Sequence, residues 1–343
     1  MLSVEQFLKQ SENSLVLDVR TPAEYQRGHI PGAANLPLFS NEERSVIGTL
    51  YKHQGREVAV LKGLEYVGPR MKAIVENIKE MAAGKDILVH CWRGGMRSNS
   101  LAWLLKTSGL PVAVLNGGYK SFRQFVLSSF VQPYNIIVLS GATGSGKTAI
   151  LKALQTMGEQ IIDLEGLANH KGSAFGFLGE DEQPTQQQFE NKLALALHKL
   201  DPARPIWVED ESRYIGSCII PDDFWQQKII APMLLLEMPA ALRVQRLMAD
   251  YAHCDQHLMK LATTRLEKRL GGKNTQTALQ LLSEENLEAF TAFLLENYYD
   301  KAYRYGLQKR DSKPMVKIDT RTPDAAENAA AIVQLYPQGF NIA

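Results

Sequence analysis

Cysteine is scarce in this chain. Three occur in 343 residues, Cys91, Cys218 and Cys254, too sparse and uneven a set for a disulfide framework. There is no CxxC pair and no His/Cys cluster at zinc-ligand spacing. Long apolar runs are missing too: none approaches the roughly 20 residues that span a bilayer. The opening MLSVEQFLKQSENSLVLDVR lacks the basic-then-apolar pattern of a secretory signal, so the expected location is cytoplasmic. Neither sign of charge dominates, with 38 Lys and Arg against 37 Asp and Glu, a net charge of +1. Any contact with nucleic acid must therefore come from a local patch. No internal repeat or low-complexity tract is present.

What is present is the profile of a globular chain, 45% hydrophobic and 22% charged, of a length that suits two cores rather than one. Leu15 to Asp18, Asp86 to His90 and Val112 to Leu115 are short apolar runs ending in turns, the mark of buried strands. Helical patterns fill the gaps, over Gly63 to Met81 and over Asn99 to Ser108, where Leu101, Leu104 and Leu105 share a face. Strand and helix in alternation predict a parallel sheet with helices on its faces. Past Phe130 the alternation restarts. Strands are expected at Asn135 to Leu139, Ile161 to Asp163, Ile206 to Val208 and Pro232 to Glu237, with a helix from Lys147 to Met157. From Ala240 onward the chain is expected to be largely helical. The fold class is thus α/β in two domains, 1–130 and 131–343, the second ending in a helical part.

The first chemical signal lies between a strand and a helix: His90-Cys91-Trp92-Arg93-Gly94-Gly95-Met96-Arg97-Ser98. A loop that curls here turns its N–H groups toward one spot, backed by a helix N-terminus, which favours an anion. The same field favours a thiolate at Cys91, and Arg93 and Arg97 add positive charge. Two glycines and two arginines have no packing purpose at a strand end, so Cys91 is the expected nucleophile; Cys218 and Cys254 lack such neighbours. Leu17-Asp18-Val19-Arg20, Glu24-Tyr25, Gly28-His29-Ile30-Pro31-Gly32-Ala33 and Asn35 resemble the N-terminal signature of rhodanese domains, and Asn116-Gly117-Gly118-Tyr119 their C-terminal one. That resemblance covers residues 1–127 and implies a loop Cys that carries a persulfide. One departure stands out: five residues separate Cys91 from Arg97, one more than in the common sulfurtransferase loop. The Cys-x5-Arg-Ser spacing is shared with Cys-dependent phosphatases and leaves room for a tetrahedral oxyanion.

The second signal is Gly141-Ala142-Thr143-Gly144-Ser145-Gly146-Lys147-Thr148, a full match to the P-loop pattern in its required setting between strand and helix. Gly141, Thr143, Gly144, Ser145, Gly146, Lys147 and Thr148 are the expected phosphate-binding residues. Thr148, Asp163, Glu209 and Asp210 are the expected metal-positioning residues, with Glu211 in the same acidic group, the acids standing at strand ends. A P-loop binds a diphosphate and does not by itself prove use of ATP; the tRNA dimethylallyl-transferase family has a similar loop for an allylic diphosphate. Two small polar segments, 171–176 and 183–190, are candidates to cover the loop, with Phe175, Phe177 and Leu178 as an apolar lining. Two basic stretches, Lys260 to Lys273 and Lys301 to Arg321, are candidates to follow RNA phosphates. Tyr298, Tyr299, Tyr303 and Tyr305 lie among the cations of the second, a mixture suited to stacking on unpaired bases, although helical spacing also suits tyrosines to a core.

Taken together, the Cys91–Ser98 loop, the Gly172–Gly176 segment and Val208-Glu209-Asp210-Glu211-Ser212 resemble the tRNA 2-selenouridine synthase family, from the first strand to at least Leu270-Gly271-Gly272-Lys273. The resemblance implies a transferase acting on the anticodon region of tRNA, with selenophosphate and geranyl diphosphate as co-substrates and Mg2+ as a further ion. Wobble 2-thiouridine would pass through an S-geranyl form to 2-selenouridine. Three rivals stay open: an ATP-dependent tRNA sulfurtransferase, a Cys-dependent phosphatase of rhodanese-like fold, and a nucleotide-gated binding module.

Overall fold

The computed structural model describes residues 1–251, 254–308, 315–320 and 322–335. The chain divides into two compact units, Met1–Ser129 with Glu190–Ala194, and Phe130–Phe189 with Leu195–Ala343.

The first unit holds a four-stranded parallel sheet of β1 (Leu15–Asp18), β2 (Ala34–Asn35), β3 (Ile87–His90) and β4 (Val112–Val114), in the order β2-β1-β3-β4. β3 is buried along its whole length, as a strand covered on both faces must be. Three of its helices are entered through capping boxes at Ser3, Thr21 and Ser40. The helices Met71–Ala82 and Met96–Thr107 close a core that includes Leu17, Val19, Ile78, Val89 and Leu105. The single helix expected from Gly63 to Met81 is two, Arg56–Val67 and Met71–Ala82, joined by a short 3-10 turn at Gly68–Arg70. Pro69 is the physical reason, since it has no N–H to continue the ladder.

The second unit holds a five-stranded parallel sheet. Its strands are β5 (Ile136–Gly141), β6 (Gln160–Ile162), β7 (Ile206–Glu209), β10 (Met233–Glu237) and β11 (Met315–Asp319), in the order β11-β10-β5-β7-β6. A short hairpin of β8 (Tyr214–Ile215) and β9 (Cys218–Ile219) stands apart. β5 lies at the centre, buried throughout, so the loop at its carboxyl end opens where chain connections diverge, the usual place for a ligand in such sheets. Beyond Ala240 the chain is not wholly helical: β11 returns to the sheet as an edge strand on β10. Its burial alternates weakly, with only Ile318 buried, which is why five residues carrying Lys317 and Asp319 gave little strand signal. The intervening helices build their own core, including Phe175, Met259, Leu266, Leu282 and Phe290.

Candidate functional sites in the two units

In the first unit β3 delivers Cys91 to the base of its loop. The thiol is buried, 3% exposed, with Sγ 3.2 Å from the Ser98 hydroxyl. Gly94 at φ +63° and Gly118 at φ +61° allow two backbone turns to touch. A Cβ on Gly118 would lie 2.3 Å from the Cys91 carbonyl oxygen and 2.4 Å from the Gly94 nitrogen, so only glycine fits there. Tyr119 N–H donates to Cys91 O at 2.8 Å and Lys120 N–H to Trp92 O at 2.9 Å, pinning the loop to the helix Gly118–Ser129. Among the described residues, no backbone N–H from Trp92 to Met96 has a hydrogen-bond acceptor. These groups precede the helix Met96–Thr107, which is the arrangement of an anion-binding nest. The two arginines differ. Arg93 is exposed on the loop, whereas Arg97 is tied to Glu24 at 2.8 Å. That pair holds the Glu24 carboxyl below its ordinary range against the opposing push of burial. Behind the loop, His90 is wholly buried, and desolvation lowers its pKa to about 4, so the ring is neutral at pH 7. Cys218 is buried, and the partly buried Cys254 thiol is pushed up by desolvation.

In the second unit the P-loop rounds the end of β5. Gly144 (φ +83°) and Gly146 (φ +77°) take left-handed turns; a Cβ on Gly144 would meet Arg243, and one on Gly146 the guanidinium of Arg246 at 2.6 Å. Among the described residues, the N–H groups of Thr143, Gly144, Gly146, Lys147 and Thr148 have no acceptor. Lys147 Nζ spans the loop to the Gly141 carbonyl at 3.1 Å. Ser145 differs from its neighbours: its hydroxyl is buried and unpartnered, and it does not line the cavity. Arg243 clamps the loop from outside, donating to Thr143 O and pairing with Asp300 at 2.7 Å.

The loop forms the floor of a cavity of about 1120 Å³. Thr148, Asp163 and Asp210 line it, and Glu209 does not. Each acid expected to position a metal holds a bond within the protein. Asp163 caps the short helix Leu164–Ala168 at Gly166 N–H, 2.7 Å, and Asp210 accepts from Ser140 Oγ at 2.6 Å. Glu209 is fully buried and accepts from Glu165 N–H at 2.8 Å; burial, reinforced by Asp163, pushes its carboxyl well above the ordinary range. Glu211, the last acid of the strand-end group, faces the cavity as well, and so does Glu165, which the strand-end argument did not single out. Glu165 accepts from Thr148 Oγ1 at 2.6 Å. Glu211 is pushed up to about 8 by burial and by Glu165, against the pull of Lys147 and Lys228. Gly172 (φ +63°) explains how both fit: a Cβ there would lie 2.0 Å from the Glu211 carboxylate and 2.8 Å from that of Glu165. Glu165 sits inside a helix rather than at a strand end, so no motif marks it. Among the described residues, no group of three or more His, Cys, Asp or Glu side chains is arranged to hold a metal ion.

The 171–176 segment does wall this cavity through Lys171, Gly172, Ser173 and Ala174. Phe177 lines it, whereas Phe175 and Leu178 turn into the helical core. The first basic stretch contributes Arg265 and Arg269, and the tyrosines Tyr298, Tyr299 and Tyr303 line the same space. Tyr305 stands apart, exposed to solvent. Lys309, Arg310, Lys313 and Arg321 of the second basic stretch lie outside the described residues.

No helix among the described residues is long and apolar enough to cross a membrane. Comparison with known proteins matches both units. The rhodanese-like domain profile fits residues 3–125, and the profile of the tRNA 2-selenouridine synthase AAA domain fits residues 134–327. Curated relatives of this chain carry the name tRNA 2-selenouridine synthase. That of Shewanella oneidensis is 36% identical over 86% of each chain. Those of Shewanella frigidimarina and Shewanella pealeana are both 34% identical, covering 90% and 89% of this chain and 92% of each relative. A thiol at a nest of free N–H groups in one unit and a P-loop under a large cavity in the other are joined in one chain that belongs to the tRNA 2-selenouridine synthase family.

Proposed function

We propose that the protein converts wobble 2-thiouridine in tRNA to 2-selenouridine through an S-geranyl intermediate. The observation that carries this reading is the P-loop floor beneath a cavity far larger than a diphosphate requires, with cationic, apolar and aromatic side chains on its walls. In the first step the C1–O bond of geranyl diphosphate breaks as the uridine sulfur forms a bond to C1. The N3 proton is lost and diphosphate departs. Lys147 and the free N–H groups of Thr143, Gly144, Gly146, Lys147 and Thr148 stabilise that leaving group, as fixed donors do wherever charge develops. Sulfide is a poor leaving group at C2, but a thiol is a serviceable one, so alkylation prepares the exchange. In the second step selenium bonds to C2 and geranylthiol leaves; water then cleaves the P–Se bond and phosphate is released. Cys91 directs the selenium, and the Trp92 to Met96 N–H groups with Arg93 hold the phosphate part of selenophosphate. Arg97 orders that loop through Glu24. Among the described residues no three acidic, His or Cys side chains are grouped to hold an ion, so the residues present do not form a ready Mg2+ site and no step runs through one.

The test is to incubate 2-thiouridine-bearing tRNA with geranyl diphosphate, selenophosphate and the protein, then weigh the digested nucleosides. Wild type is expected to yield selenouridine. Cys91→Ala is expected to stop at the S-geranyl nucleoside, and Lys147→Ala to lose geranyl transfer. Absence of both products, with ATP hydrolysis or cleavage of an aryl phosphate instead, refutes the reading in favour of a rival.

A further inference from the structure

A geranyl acceptor must bring its sulfur to the carbon that leaves diphosphate, so on the proposed reading part of an RNA strand enters the P-loop cavity. The RNA carries phosphates of its own, and the P-loop is occupied. The wall formed by the C-terminal helices supplies a second cationic group. Arg265 ends the helix Gln256–Arg265, and Arg269 lies one turn further on in Glu267–Leu270. Both line the cavity, both are exposed, and neither pairs with a carboxylate among the described residues. Their contacts are aromatic instead. The Arg265 guanidinium stands 5.9 Å from the Phe177 ring centroid, and Arg269 Nη1 donates to Tyr298 Oη at 3.4 Å. Two guanidiniums that line the cavity against aromatic rings, with no carboxylate partner among the described residues, are open to an outside anion.

The backbone adds a second, independent observation. Leu295–Tyr299 is a π turn within the helical run, a rare widening by one residue that recurs at functional sites. It lets the consecutive Tyr298 and Tyr299 both face the cavity. Their rings meet edge to face at 4.9 Å, both half-buried, with Tyr298 toward the arginines. One tyrosine thereby braces the other. Unpaired bases are recognised by such stacking platforms, with arginines tracking the backbone.

From this juxtaposition we infer that Arg265, Arg269 and Tyr298 form the RNA-strand subsite of the cavity, the arginines on backbone phosphates and Tyr298 stacked on an unpaired base beside the P-loop diphosphate. The inference rests on the reading that the P-loop holds the prenyl diphosphate, and its test separates the two. Binding of 2-thiouridine-bearing tRNA would be measured against salt for the full chain and for the double variant Arg265→Gln, Arg269→Gln, with geranyl diphosphate binding measured alongside. Two lost phosphate contacts are expected to flatten the slope of log affinity on log salt by about 1.4, at roughly 0.7 for each single-strand contact. Diphosphate affinity is expected to stay at the wild-type value, which also shows that the variant is folded. Tyr298→Phe is expected to keep tRNA affinity and Tyr298→Ala to lower it about tenfold, within the range for one stacked base. An unchanged slope overturns the inference. So does a fall in diphosphate affinity with the slope intact, which would assign the arginines to the prenyl diphosphate. Geranyl diphosphate binding that survives Lys147→Ala would instead sink the P-loop reading while leaving the RNA slope to be judged separately.

Discussion

Replacing Gly118 by Ala tests whether backbone packing holds the Cys91 loop in place. The native φ of +61° costs an L-residue about 1–2 kcal/mol. The added methyl also meets the Cys91 carbonyl at 2.3 Å and the Gly94 nitrogen at 2.4 Å, both backbone atoms that cannot swing aside. Relieving that clash displaces the loop and endangers the 2.8 Å bond from Tyr119 N–H. A bond of that kind contributes about 1 kcal/mol, and overpacking adds about 1–3 kcal/mol. The expected total is on the order of 3–6 kcal/mol, summed from those three effects. Gly109 supplies the control: its φ is +79°, yet a Cβ there meets nothing within 4 Å. Gly109→Ala should therefore cost only the conformational part, about 1–2 kcal/mol. Urea unfolding followed by circular dichroism gives the two losses, and the rate of Cys91 labelling by a thiol reagent reports on the loop directly. Gly118→Ala should speed labelling of the 3% exposed thiol and abolish selenium transfer while sparing geranyl transfer. Equal losses for the two variants, with unchanged labelling, would refute the claim that this contact fixes the loop.

His90 is buried neutral with its pKa lowered from 6.5 to about 4, so the unfolded chain binds the extra proton first. Its contribution to stability is therefore present above pH 6.5 and lost as pH falls toward 4; urea midpoints for His90→Phe should fall less over that window than wild type, and parallel curves would count against it. Asp300→Ala leaves the 6% exposed Arg243 guanidinium without its carboxylate. Stranding a largely buried charge costs about 3 kcal/mol, and because Arg243 also holds Thr143 O, diphosphate binding by calorimetry should weaken as well; unaltered binding would show that the clamp is not needed. Gly172→Ala is expected to drive Glu211 and Glu165 apart and reduce geranyl transfer at least tenfold without altering Cys91 labelling, with single-turnover assays as the check.

Both loops were legible because each is a run of neighbouring residues whose chemistry depends on its own backbone. The P-loop spelling fixes glycines at 144 and 146 where left-handed turns are needed, and the Cys91 loop lies between an apolar strand and a helix. Strand centres such as Ile87–His90 and Ile136–Gly141 were legible for a similar reason, since burial on both faces demands continuous apolar residues. Ends and edges were less so: β11 is half-exposed and carries charges, and Pro69 splits a helix whose apolar pattern runs on either side of it.

The order of motifs along the chain was enough to determine the two-part α/β architecture, the thiol and the phosphate loop, because hydrogen-bonding period and backbone conformation are local properties. Only the tertiary structure decided which acids meet the phosphate site. Glu209 and Glu211 are two residues apart, yet one lies wholly beneath the cavity and the other faces it, and Glu165 reaches it from a helix in another part of the chain. Likewise Arg97 belongs to Glu24, 73 residues away, while Arg265 faces Phe177 and Arg269 faces Tyr298 instead of carboxylates. Partners of that kind are chosen by packing between distant segments, where desolvation and charge act through space and not along the sequence.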